Sequence, residues 1–168
     1  MGKANIVLGY VSLVRLITEV QFFWTVTDRS KLFAFAAFDA AVGALWVLSG
    51  LCLVSREPSL MITAMAAGAA AARTILSGML LGPRLAESVW KLRDDPEFLQ
   101  ALAAAGSRVL HYGIEFVYWP VVLFQILKAC EAPRPRWQPD PAVSTGSAFG
   151  AACLIAGVLE AALLDPLT

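Results

Sequence analysis

The chain has 168 residues, of which 58% are apolar and 15% are charged, so it is much more apolar than a typical soluble domain. Its mean hydropathy is +0.68, which indicates lipid as the main surroundings. Thirteen basic residues balance thirteen acidic ones, which argues against the strongly basic surface that binds nucleic acid. This length has room for about five membrane crossings but not for a second, soluble catalytic domain.

Four long apolar segments and a fifth, weaker one follow one another along the chain. We expect membrane-spanning helices at residues 4–26, 32–54, 59–81, 107–129 and 143–164. Polar or proline-containing stretches separate them, as at Asp28 and Pro58. Residues 85–105 mix apolar and charged side chains, which is typical of an amphipathic helix lying at the membrane surface.

The predicted fold is therefore all-α. We expect a polytopic membrane bundle of four to five transmembrane helices with one interfacial amphipathic helix, forming a single integral membrane domain over residues 1–168. We place this multi-pass protein in the cell inner membrane. The basic residues of the loops are almost equally divided between the two sides, so they do not determine its orientation.

Cysteine and histidine are too sparse to indicate a bound metal or cofactor. The cysteines Cys52, Cys130 and Cys153 stand singly, which matches neither a zinc motif nor a disulfide framework. His111 is the only histidine, whereas metal centres in helical bundles use paired Glu-x-x-His motifs. We therefore predict no cofactor and no metal.

Seven ionisable residues lie within the predicted spans, where an isolated charge is costly. They are Arg15, Glu19, Asp39, Arg73, His111, Glu115 and Glu160. Glu19 and Asp39 lie seven residues, and Arg73 and Glu115 eight residues, from span ends that meet at one face of an antiparallel bundle. At about 1.5 Å per residue, all four lie roughly 10–12 Å below that face. We expect the charges to converge in this half and the other half to be almost purely apolar, apart from Gln125 and scattered hydroxyl groups.

Side-chain spacing and charge count suggest how these residues are used. Arg15 and Glu19, and likewise His111 and Glu115, are i,i+4 neighbours on a helix. Asp39 and Arg73 are at matched depth and suit a structural salt bridge. Two arginines can neutralise only two of the four acids, so the remaining acids and the histidine are candidates for proton exchange.

We predict a polar site with aromatic walls in this half of the bundle. The candidate catalytic residues are Glu115, His111, Asp39 and Glu19. The candidate ligand-binding residues are Arg15, Arg73, Tyr112, Tyr118, Trp119 and Trp46. An intrahelical Arg15–Glu19 pair that only allows the first helix to insert is the structural alternative for those two residues.

Three functions remain open from the sequence. The first is binding of a lipophilic small molecule with acid–base chemistry of the isomerase or cyclase type. The second is a proton- or ion-coupled transporter, because intramembrane acids and histidines also form proton relays. The third is a non-catalytic subunit or assembly partner, in a homo-oligomer or with another membrane protein, to which the small-residue segment from Gly146 to Gly157 is suited. The expected partners are membrane lipids and a lipophilic molecule, not nucleic acid.

Overall fold

A computed structural model of the chain describes residues 1–23, 29–55, 59–78, 87, 90–91, 93–94, 98–131 and 141–164. Five helices account for nearly all of these residues. They are α1 (Gly2–Phe23), α2 (Arg29–Val54), α3 (Leu60–Leu76), α4 (Phe98–Cys130) and α5 (Pro141–Leu164). No strand occurs within the described ranges, and the predicted all-α fold is confirmed.

The expected boundary between an interfacial helix at 85–105 and a span at 107–129 is not a helix end in the structure, although the stretch Gly106–Cys130 is long and apolar enough to span a membrane. Helix α4 begins at Phe98 and continues through Gly106 to Cys130 without interruption. A single glycine costs a helix only about 1 kcal/mol relative to alanine, and the preceding residues 103–105 are all alanine, which favours helix most. Most of the remaining part of the predicted interfacial helix lies outside the described residues.

Three of the helices are long and apolar enough to cross a membrane. These stretches are Phe33–Val54 in α2, Gly106–Cys130 in α4 and Pro141–Ala162 in α5, and Leu60–Leu76 in α3 is a shorter apolar helix. Their outward faces carry large apolar side chains, including Val117 and Leu154. By length and composition, these helices are those of an integral membrane protein.

Helices α1 and α2 pack antiparallel and very closely, through glycines spaced seven residues apart on each helix. A Cβ atom added at Gly9 would lie 2.5 Å from the carbonyl oxygen of Gly43. A Cβ atom added at Gly50 would likewise lie 2.5 Å from the carbonyl oxygen of Gly2. Only glycine permits such an approach of two backbones, so these residues determine the distance between α1 and α2.

We therefore expect Gly9→Ala to lower the free energy of unfolding by about 1–3 kcal/mol, because the added methyl group forces the two helices apart. Gly113→Ala is the matched control, since among the described residues no atom, apart from the adjacent residues and the backbone of the same helix, lies within 4 Å of a Cβ atom added there. That substitution should leave stability unchanged or raise it slightly. The two variants can be compared by denaturant unfolding in detergent micelles, and equal stabilities would contradict the close α1–α2 contact.

Helix α3 is the central helix of the bundle. It packs against α2, α4 and α5, whereas α4 and α5 contact each other only slightly. Contacts of Gly68 with Phe149 and of Ser77 with Glu160 show that α5 runs parallel to α3. Small side chains allow the neighbouring helices to approach α3 closely. Its fully buried alanines are Ala64, Ala66, Ala67 and Ala70.

Candidate functional site

Four charged residues from four helices meet inside the bundle, and we call Arg15, Asp39, Arg73 and Glu115 the ion network. Arg15 Nη2 donates to Asp39 Oδ2 at 2.7 Å, and Arg73 Nη1 donates to Asp39 Oδ1 at 3.0 Å. Arg73 Nη2 donates to both carboxylate oxygens of Glu115. The geometry thus brings these residues together, and it contains the Asp39–Arg73 salt bridge expected from their matched depth.

The ion network is shielded from the surroundings and balanced in charge. Arg73 and Glu115 are fully buried, and Arg15 and Asp39 are exposed by only 5% and 4%. Two guanidinium groups and two carboxylates sum to zero, so each buried charge is compensated by a direct partner. Removing one partner of a buried ion pair is costly because it leaves the other charge uncompensated. The network therefore holds α1, α2, α3 and α4 in one register.

Glu19 is the one predicted catalytic residue whose side chain lies outside the described part of the structure. It belongs to α1. The predicted Arg15–Glu19 pair lies outside the described residues as well. Arg15 reaches across to Asp39 on α2, which is an interhelical contact that the i,i+4 rule does not predict.

Tyr112 contacts both arginines of the ion network. The centre of its ring lies 5.2 Å from Arg15 Cζ and 5.3 Å from Arg73 Cζ, which are distances typical of cation–π contacts. Its hydroxyl lies 3.5 Å from each carboxylate oxygen of Asp39. Tyr112 was predicted as a wall for a ligand, and in the structure it packs against the protein's own cations.

Trp46 forms the boundary of the ion network towards the other end of the bundle. The side chain is fully buried, and Nε1 donates to Glu115 Oε1 at 3.1 Å. On its other side, the indole packs against the ring of Tyr118, with centroids 5.6 Å apart and an interplanar angle of 57°. These two predicted ligand-binding residues therefore contact each other, and Trp46 fixes the position of Glu115.

His111 lies beside Glu115 without a regular hydrogen bond. The distance from His111 Nε2 to Glu115 Oε1 is 3.6 Å, which is too long for a normal hydrogen bond. Only 3% of the residue is exposed. Within the part of the chain that the structure describes, neither ring nitrogen has a hydrogen-bond partner. This imidazole is therefore buried next to a carboxylate but forms no hydrogen bond with the described residues.

Glu160, which is buried, and Trp119, which is partly buried, each have one buried polar atom without a hydrogen-bond partner among the described residues. Glu160 on α5 is 1% exposed and shares a hydrogen bond with Ser77 through Oε1. Its Oε2 atom has no hydrogen-bond partner among the described residues, and the same holds for Trp119 Nε1. The Trp119 ring packs against Phe149, with centroids 6.5 Å apart. Glu160 thus adds a buried acid that the predicted list of site residues did not include.

The other half of the bundle contains an amide, Asn5, in addition to the hydroxyl side chains expected there. Asn5 Nδ2 donates to Ser49 Oγ at 2.8 Å, and Ser49 Oγ donates to Thr63 Oγ1 at 2.9 Å. Tyr118 donates its hydroxyl proton to Asn5 Oδ1 at 2.5 Å. We call Asn5, Ser49, Thr63 and Tyr118 the uncharged network. Its members come from α1, α2, α3 and α4, the same helices that form the ion network.

We expect Tyr118→Phe to lower the free energy of unfolding by about 1–3 kcal/mol, because it leaves the buried Asn5 Oδ1 atom without its donor. Tyr10→Phe is the matched control, since Tyr10 is 66% exposed, and it should not change stability. Unfolding in detergent micelles measures both variants. A Tyr118→Phe protein as stable as the Tyr10→Phe protein would rule out an energetic role for this hydrogen bond.

No metal site emerges from the residues whose positions are described, since these contain no group of three or more His, Cys, Asp or Glu side chains suited to a metal ion. Cys52, Cys130 and Cys153 are all free thiols. No family model, curated protein or solved structure matches the chain. The arrangement of its own residues is therefore the basis for inferring its function.

Proposed function

We propose that this chain binds a lipophilic small molecule within the membrane and that His111 exchanges a proton with the polar group of that molecule. The observation that carries the proposal is the buried imidazole of His111, both of whose nitrogens lack a hydrogen-bond partner among the described residues. A buried polar group without a partner costs about 1–3 kcal/mol. Such groups in native proteins are commonly explained by a bound water or by a functional role.

The ion network would supply a fixed electrostatic environment for this chemistry. Arg73 holds Glu115 in place, and Glu115 Oε1 lies 3.6 Å from His111 Nε2. We assign the proton exchange to His111 because an imidazole can both accept a proton from a bound molecule and return it. Asp39 and Arg15 act through Arg73 and are positioning residues. The reaction class that fits is proton transfer of the isomerase or cyclase type.

The experiment is a mass-spectrometric measurement of lipophilic molecules that co-purify with the protein in detergent. His111→Gln removes the imidazole, whereas Ile114→Ala, on the same helix and 49% exposed, is a matched control. We expect one molecule to accompany the wild-type and Ile114→Ala proteins in equal amounts and to fall by about tenfold in His111→Gln. Equal amounts in His111→Gln, or no bound molecule in the wild-type protein, would overturn the proposal.

Transport is the second candidate, and the uncharged network is the observation that favours it. Polar side chains occur in both halves of the bundle, as a transport path requires. Trp46 lies between the two networks, however, and an indole only donates a hydrogen bond and does not relay a proton. The role of a subunit or homo-oligomer stays a prediction.

Proton flux into liposomes distinguishes binding from transport. If the chain is a binding protein, a pH gradient should decay at the same rate in vesicles with and without it. A decay that depends on the protein and is abolished by Asn5→Leu would instead establish transport. Asn5→Leu removes the amide that joins Ser49 to Tyr118 and leaves the ion network unchanged.

A further inference from the structure

A cavity of about 450 Å³ lies at the end of the bundle where α3 and α5 begin and α4 ends. Ser59, Met61, Ala129, Ser144 and Thr145 are among the residues that line it. Ser59 precedes Arg73 by 14 residues on α3, so the cavity lies about 20 Å along the helix axis from the ion network. It is therefore separate from the site around His111.

Two helix N-termini meet at this cavity, because α3 and α5 run parallel and both begin there. The first amides of a helix have no acceptor within the helix. Ser59 accepts from the amide of Ile62 through Oγ and from the amide of Thr63 through its carbonyl oxygen, each at 3.4 Å. The amides of Leu60 and Met61 precede these, and both residues line the cavity. A helix N-terminus with such amides, as at the beginning of α3, attracts anions.

Thr145 is a second, independent indication of a ligand. The residue lines the cavity and is only 5% exposed. Buried Thr63 and Thr74 on α3 each donate to the carbonyl oxygen four residues earlier, as threonine commonly does in helices. The corresponding carbonyl oxygen for Thr145 is that of Pro141, which accepts from Ser144 instead. No hydrogen bond joins the Thr145 hydroxyl to any residue that the structure describes.

From this geometry we propose that the cavity binds the phosphate group of a glycerophospholipid headgroup. Backbone amides and hydroxyls line it, and none of its described lining residues is acidic, so its chemistry favours a ligand rich in acceptors. Helices α4 and α5, which are long and apolar enough to span a membrane, end and begin here. The cavity therefore lies at the level where a bilayer places its phosphates.

Native mass spectrometry of the full chain, after delipidation in detergent, tests this site. The probes are phosphatidylglycerol, a diacylglycerol with the same acyl chains, and inorganic phosphate alone. Thr145→Val removes the hydroxyl at nearly constant volume, and Thr145→Ser keeps it. Ser147→Ala, at an exposed position on α5 outside the cavity lining, is the matched control.

We expect the wild-type, Thr145→Ser and Ser147→Ala proteins to retain phosphatidylglycerol, and Thr145→Val to retain about fivefold less. Equal retention by Thr145→Val and Thr145→Ser would overturn the site. Equal retention of diacylglycerol and phosphatidylglycerol would overturn recognition of phosphate. Competition by inorganic phosphate at concentrations equal to those of the lipid would show that the ligand is free phosphate and would overturn the lipid assignment.

Discussion

Replacing Arg73 with methionine is expected to lower the free energy of unfolding by about 3–5 kcal/mol, which is the usual cost of removing one partner from a buried ion pair. The loss is large because Arg73 is fully buried and pairs with both Asp39 and Glu115. Asp39 would retain Arg15, whereas Glu115 would lose its guanidinium partner. Denaturant unfolding in detergent micelles measures the change.

Two further variants show whether the loss arises from the uncompensated charge. In Arg73→Met/Glu115→Gln, the unpaired carboxylate is also removed, so part of the lost stability should return. Lys91→Met breaks an exposed i,i+4 pair with Glu87 and should leave stability unchanged, because exposed ion pairs contribute little. If Arg73→Met is no less stable than Lys91→Met, the ion network does not hold the helices together.

Replacing Trp46 with alanine should also destabilise the protein, by about 3–5 kcal/mol, because it opens a cavity next to the ion network. Trp46 is among the largest fully buried side chains in the described part of the bundle. Trp46→Phe keeps most of the ring and removes the indole donor to Glu115, so it should cost about 1–3 kcal/mol. The same unfolding measurement serves for both variants.

Trp90→Ala is the control for the loss of a tryptophan as such, since Trp90 is 66% exposed. It should leave the free energy of unfolding nearly unchanged. If Trp46→Phe and Trp46→Ala lowered the free energy of unfolding by the same amount, the whole loss would come from the hydrogen bond to Glu115. A Trp46→Ala protein as stable as Trp90→Ala would contradict the close packing around the indole.

The meeting of Asp39, Arg73 and Glu115 can be predicted from the sequence because consecutive antiparallel helices share their ends. Once the turns are located, the number of residues from a turn gives the depth of each side chain. Counting placed these three residues at one level, and the structure joins them by ion pairs. The sequence therefore predicts the depth of a side chain within the bundle, even where the observed helix ends differ from the predicted ones by a few residues.

The rotation of each helix about its own axis cannot be predicted from the sequence in the same way. The i,i+4 rule relates Arg15 to Glu19 because it considers only one helix. In the structure, Arg15 pairs with Asp39 because glycines such as Gly9 and Gly43 bring α1 and α2 into close contact. That contact depends on which face of each helix is turned towards the bundle interior. Because α1 and α2 have no distinct apolar and polar faces, the sequence alone does not indicate the inward face.

The contacts of the uncharged network were not predicted because depths were compared only for ionisable residues. Asn5 and Thr63 lie close to the beginnings of α1 and α3, and Ser49 lies close to the end of α2. In an antiparallel bundle these positions have nearly the same depth. The same counting, applied to amide and hydroxyl side chains, would have indicated this second level of polar contacts.

The measurement that most directly tests the convergence of charges is a solid-state NMR distance between Arg73 and Glu115 in lipid bilayers. Guanidinium nitrogens are labelled with ¹⁵N and glutamate carboxyl carbons with ¹³C, and Arg73→Met/Glu115→Gln identifies the signal. We predict a nitrogen–carbon distance below about 4 Å in the wild-type protein, as a direct ion pair requires. The absence of any such dipolar coupling would contradict the ion network and the site built on it.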